Sequence, residues 1–287
     1  MSDIPTRPEE SRSPVVAALE TIGTGTIEQG RRALGLFEFF GGMVYLMTDT
    51  VRWVYRALIL RQVKFGMDHL LYQMVRVGIQ SIPIIALVQV FIGIILSLQM
   101  APTMQKYGQI EQIATIVAIA MTRELAPLLS GIVLSGFAGA AIAAELGTMV
   151  EGEEIKALRA SALDPVRFLV VPRFLATVFM LAVLTIIADV VGVFGGYLTG
   201  TLILDIGSDT YINTTRMAIT HKDLLSGVAK APLFGMLIAL IACYEGLNVT
   251  GGAAGVGRAT TNTVVKCIVA LISADVIATS LLYAFEL

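Results

Sequence analysis

From Val77 to Gln105 the chain runs for 29 residues without a charged side chain. A helix rises 1.5 Å per residue, so about 20 apolar residues cross the ~30 Å hydrocarbon layer of a bilayer. That run is read as a membrane span, and four more follow. The block from Gln112 to Ala144 has 33 residues and is broken by Arg123, Glu124 and Pro127. It is too long for one straight crossing, so a tilted or kinked helix is expected. Apolar stretches at about 168–204, 224–247 and 259–286 carry single charges at Asp189, Lys230 and Asp275 respectively. Composition agrees: only 15% of the 287 residues are charged and 56% are hydrophobic, whereas a soluble domain carries about 25% charged residues.

The other segments read differently. Residues 1–14 are polar and proline-punctuated, lack the profile of a cleaved signal peptide, and read as a disordered tail. Nine Lys/Arg fall within the first 76 residues, among the aromatics Phe37, Phe39, Phe40, Tyr45, Trp53 and Tyr55. That mixture suits one or two helices lying in the headgroup plane at about 15–64; a cytosolic helical hairpin is the plainer alternative. Basic residues mark the cytoplasmic side. With the N-terminus inside, Lys156, Arg159, Arg167, Arg173 and Arg258 join those nine, and only Lys106, Arg216 and Lys222 lie outside. The expected arrangement is N-inside and C-outside.

Small residues recur every fourth position at Gly131, Ser135, Gly139, Ala143 and Gly147, and again at Gly192, Gly196 and Gly200. Such ridges let helix backbones approach closely in lipid. They predict packing within the bundle, with a seam between two copies as the second reading. Arg123 and Glu124 are adjacent, so on a helix they diverge by about 100° and each needs its own partner or water. Ionisable groups at membrane depth are costly and face a bundle interior or a wet cavity. The pair is therefore a candidate for headgroup recognition, against structural pairing with Asp189, Lys230 or Asp275. Glu145 reads as a packing or hinge carboxylate. Residues 151–163 form a short amphipathic segment, stopped by Asp164-Pro165, that suits docking on another protein; a plain surface loop is the competing view.

Much chemistry is excluded. A net charge of −2 removes the electrostatic case for nucleic-acid binding. The glycine runs at Gly25–Gly30 and Gly252–Gly257 lack the Lys-Ser/Thr that holds nucleotide phosphates and magnesium. Cys243, Cys267, His69 and His221 have no metal-ligand spacing, so no metal or cofactor is expected in this chain.

Five stretches taken in order carry a resemblance: Phe91 to Gln99 (FIGIILSLQ), Leu125 to Met149 (LAPLLSGIVLSGFAGAAIAAELGTM), Glu151 to Arg159 (EGEEIKALR), Asp164 to Arg173 (DPVRFLVVPR) and Gly251 to Val265 (GGAAGVGRATTNTVV). The sequence resembles the MlaE/YrbE permease family of MCE-type lipid transporters, from about residue 35 to the end. The resemblance implies an all-α integral membrane protein. An interfacial amphipathic region at 35–76 precedes a five-span permease domain at 77–287, and 1–34 is a variable extension. It implies a homodimer in a bacterial inner membrane, a separate cytosolic ATPase that binds ATP and Mg, and a ring of MCE-domain proteins on the outer side. Phospholipid or a related lipid would be the cargo. By motif, the lipid cavity is lined by Leu96, Gln99, Tyr107, Arg123, Glu124 and Leu125. The ATPase-coupling helix carries Glu151, Glu153, Glu154, Ile155, Leu158 and Arg159. The rival from the residues alone is an ion-coupled secondary transporter relaying charge through Arg123, Glu124, Asp189, Lys230 and Asp275; the paired broken helices of two related halves are not visible.

Overall fold

The computed structural model describes residue 35, residues 37–56 and residues 67–284. The expectations for residues 1–34, and those for 57–66, lie outside the described residues. The chain divides into two units, residues 1–45 and 46–287. The described residues of the first are helical. The second opens with helix α1 (46–56), followed by α2 (Met67–Lys106), α3 (Gln112–Glu151), the short α4 (Glu154–Ala160), α5 (Val166–Leu202), α6 (Ser208–Ala218), α7 (His221–Leu247) and α8 (Gly252–Ala284). No strand occurs among the described residues. Helices α2, α3, α5, α7 and α8 are each long and apolar enough to cross a membrane.

Charge-free length located these five helices but not their ends. α2 begins at Met67, ten residues before Val77, because its first turns are amphipathic and carry Asp68 and Arg76. Where Pro83 deprives the chain of an N–H, a 3-10 turn forms at Ile79–Ser81. There the Ser81 hydroxyl donates to the Val77 carbonyl at 2.6 Å, so that carbonyl keeps a partner through the change of helix type. Asp164 starts α5: its carboxylate accepts from the Val166 N–H at 2.8 Å.

α5 is the central helix, packed against α2 and α7, while α3 packs against α7 and α8. The predicted ridges pack inside the chain. Gly131 and Gly139 face Leu271, Phe234, Ile238 and Thr263 of α7 and α8, and Gly192, Gly196 and Gly200 face Met121, Val117 and Tyr211. Ser135, Ala143 and Gly147 are buried as well. α8 buries only one stripe, Gly255, Ala259, Thr263, Cys267 and Leu271. Val265, Val269, Val276 and Ile277 are exposed, which in water would be an aggregation liability and in hydrocarbon costs nothing.

Glu145 is a clamp. It pairs with Arg76 of α2 at 2.6 Å and with Arg173 of α5 at 3.1 Å, tying three spans together on the face that carries α4. The two cysteines are buried and unpaired with each other.

Candidate functional site at a widened turn of the second span

The overlong second span contains two π-turns, Met121–Leu125 and Ser135–Gly139. A π-turn holds one extra residue and re-aims the side chains beside it. In the first, the Ala126 N–H donates to the Met121 carbonyl five residues back. Pro127 follows and has no N–H, so the Arg123 carbonyl loses its partner four residues on. Lys230 of α7 supplies the donor instead, with Nζ 3.3 Å from that oxygen. α7 reaches this close because Gly227 lies on the turn: a Cβ there would fall on the Thr122 carbonyl.

The adjacent charges take separate partners. The Arg123 guanidinium lies 3.5 Å from Asp223 of α7 and keeps 42% of its side-chain surface exposed. Asp223 also accepts from the Thr220 N–H at 3.0 Å, closing a capping box at the start of α7. Glu124 turns to Lys230, 2.6 Å from its Nζ. Lys230 is 2% exposed and also donates to Asp275 at 3.1 Å and to Thr279 at 2.7 Å, both on α8. The Thr279 hydroxyl lies 3.1 Å from the other Glu124 oxygen. One buried ammonium thus joins α3, α7 and α8.

Of the cavity residues expected from the sequence, Arg123, Glu124 and Leu125 sit together at the π-turn. Leu96 and Gln99 lie on α2 and Tyr107 at its end. Gln99 and Tyr107 are exposed, and no hydrogen bond links either to the charged cluster among the described residues. Asp189 does not join the cluster: it is 4% exposed and neither carboxyl oxygen has a hydrogen-bond partner among the described residues. Asp223 and Thr279 were missed in the sequence, although each left a mark. Thr220 three residues before Asp223 is a capping signature, and Thr279 is one turn beyond Asp275.

A second locus surrounds α4. Glu153 enters this helix in the left-handed region, at φ 58°. Ile155 is buried and anchors it, while Glu153, Glu154, Lys156 and Arg159 are exposed. Lys156 donates to Glu153 at 2.7 Å, which holds that carboxyl below its ordinary range; fully exposed, the pair adds little stability. Glu151 accepts from the Gly252 N–H at 2.9 Å. Beneath α4 lies a cavity of about 600 Å³, bounded by Tyr72 of α2, Glu145 of α3, Leu158 of α4 and Phe168 and Arg173 of α5.

Five spans, ionised groups facing inward and an exposed short helix between two spans describe a polytopic helical permease. Residues 70–281 match the family described as Permease MlaE, and the chain belongs to that family. It is 35% identical over 262 residues to a probable ABC transporter permease protein of Rickettsia typhi, covering 91% of this chain and 96% of the relative. It is 31% identical to the intermembrane phospholipid transport system permease protein MlaE of Haemophilus influenzae, covering 77% of this chain and 85% of that protein. Similarity extends to the chloroplastic protein TRIGALACTOSYLDIACYLGLYCEROL 1 of Arabidopsis thaliana, 33% identical over 74% of this chain and 61% of the relative.

Proposed function

We propose that this chain is the membrane permease subunit of an ABC transporter that moves phospholipid or a related lipid between the membrane and an outer MCE-domain partner. A separate cytosolic ATPase, bound at α4, supplies the energy, and two copies of the chain form the permease. The observation that carries the reading is Arg123. Its side chain is 42% exposed and its guanidinium lies 3.5 Å from the Asp223 carboxylate, an ion pair too long for a strong charged hydrogen bond, so donors remain for a phosphate. Leu96, Leu98 and Leu125 would meet the acyl chains, and Gln99 and Tyr107 would add hydrogen bonds to the headgroup. Nucleotide-driven closure of the ATPase would reach the spans through α4, and the Glu145 clamp makes α2, α3 and α5 move as one body. In an ion relay the charges must exchange partners. Here Lys230 is saturated by four oxygens and Asp189 stands apart.

Arg123→Ala removes a half-exposed guanidinium 3.5 Å from Asp223, and that carboxylate keeps the Thr220 N–H, so the variant is expected to fold. Co-reconstituted with its ATPase and outer partner, it should transfer lipid about tenfold or more slowly, the worth of a charged hydrogen bond. It should still bind the ATPase. Unchanged flux overturns the assignment of Arg123. Orientation has its own test in intact cells. A cysteine at Ser161, beside α4, should be shielded from an impermeant maleimide added outside, and one at Met217 should react. The reverse pattern would put α4 on the wrong side for a cytosolic ATPase.

A further inference from the structure

On the face opposite α4, α5 and α6 enclose a groove of about 510 Å³, within the ~300–1,000 Å³ range of ligand sites. Val190, Phe194 and Tyr197 of α5 and Ile212 of α6 make its sides apolar, and Thr215 and Arg216 sit at the α6 end. Its wall is rigid. Phe194 stacks on Tyr197 with ring centroids 6.3 Å apart, and Tyr197 meets Tyr211 edge-on at 5.6 Å. Tyr211 is buried against Gly200 and reaches Gly196 beside Ser97. Burial pushes its phenol up to about 12, with the Ser97 hydroxyl acting in the opposite sense, so it stays neutral.

The polar end is underused. The Thr215 hydroxyl oxygen is shielded and has no hydrogen-bond partner among the described residues. Arg216 has neither an ion pair nor a hydrogen bond among the described residues; Asp209 is two turns earlier on α6, and the exposed Asp205 precedes the helix. Such a cation, bordering an apolar trough on a membrane-spanning helix, is the complement of an amphiphile with an anionic head.

We propose that the α5–α6 groove holds one acyl chain of an anionic phospholipid, with the phosphate on Arg216. This subsite is separate from the Arg123 cluster and rests on the five membrane spans, not on the transport reading. The chain has a single tryptophan, Trp53. In a Trp53→Phe background, Phe194→Trp places a reporter in the groove, and Val265→Trp in a second protein places one on exposed α8. Each full-length chain is reconstituted in phosphatidylcholine vesicles with brominated phosphatidylglycerol or brominated phosphatidylcholine as quencher. At position 194 the anionic lipid should be preferred about fivefold, the effect of one cation near a membrane surface. Arg216→Gln should bring that ratio to about one, Arg123→Ala should leave it alone, and position 265 should show no preference. A ratio near one at 194, a preference that survives Arg216→Gln, or the same preference at 265 overturns the proposal. Failure of lipid transfer in Arg123→Ala bears only on the transport reading.

Discussion

Lys230→Met is expected to cost about 3 kcal/mol of stability, the low end for breaking a buried pair, because it leaves two part-buried carboxylates without their cation instead of merely removing a contact. Lys230 is 2% exposed, and its Nζ is the shared donor for Glu124, Asp275, Thr279 and the Arg123 carbonyl. Without it Glu124 and Asp275 face each other across α3 and α8 with no cation between them. The C-terminal part of α8 should suffer most, since the helix buries only one stripe of residues, which ends at Leu271, and the polar ties of Gly252 to Glu151 and Lys266 to Glu245 lie nearer its start. Thermal unfolding of the purified protein in detergent measures the loss, and a variant that melts with the wild type refutes the account. The triple variant Lys230→Met, Glu124→Leu, Asp275→Leu removes the whole ionic group. Buried ion clusters can often be replaced by apolar side chains at little or no cost, so most of the stability should return. Thr279 can then donate to its own helix, to the carbonyl four residues back. If lipid transfer stays lost in this stable triple variant, the cluster serves transport; if transfer returns with stability, the cluster is structural.

That cluster shows what the sequence could and could not convey. The divergence of Arg123 and Glu124 was legible, because neighbours on any helix point apart, and the two do bind different partners. The cost of charge in hydrocarbon left two readings of the pair, headgroup recognition and structural pairing with Asp189, Lys230 or Asp275, and Glu124 pairs with Lys230. Which of the three companions it would leave out was not legible: Asp189 lies on α5, and only the tertiary arrangement keeps it away. The π-turn was invisible for a different reason. Met121 has φ −63° and ψ −55° and Ala126 φ −66° and ψ −49°, ordinary helical values, so no residue-level preference marks the extra residue. Pro127 signalled a disturbance, read as a kink. The actual outcome is a widened turn whose freed carbonyl is met by a lysine 107 positions away. Span ends were blurred by the same logic, since charge-free length ignores amphipathic turns such as Met67–Val77.

Gly93→Ala should be among the most damaging single-methyl changes in the protein, although neither ladder read from the sequence includes Gly93, which heads a shorter run of small residues with Ser97 and Ala101. A Cβ on Gly93 would land on the Gly192 carbonyl, a backbone atom that cannot swing aside, and one on Gly195 would meet the Val90 carbonyl in the same seam. α2 and α5 therefore cross with backbone against backbone, an approach that lets Cα–H groups face carbonyls. The Gly131–Gly147 ladder is looser along most of its length: a Cβ on Gly131 or Gly139 would meet the ends of Leu271 and Ile238 at 3.4 Å, an ordinary contact, and only at Gly147 would it come within 2.8 Å of a neighbour, the Val249 methyl. Four-residue spacing shows that a helix could be approached closely; only the facing helix decides where it is. An added methyl at Gly93 must push the two spans apart, with an expected loss of about 3 kcal/mol, the upper end for overpacking. Gly136→Ala is the matched control, because nothing lies within 4 Å of a Cβ there. In a helix that exchange is otherwise favourable by up to about 1 kcal/mol, so Gly136→Ala should melt at or above the wild type while Gly93→Ala melts well below it. Equal melting of the two variants would mean that α2 and α5 are not in backbone contact, and the central seam of the fold would have to be redrawn.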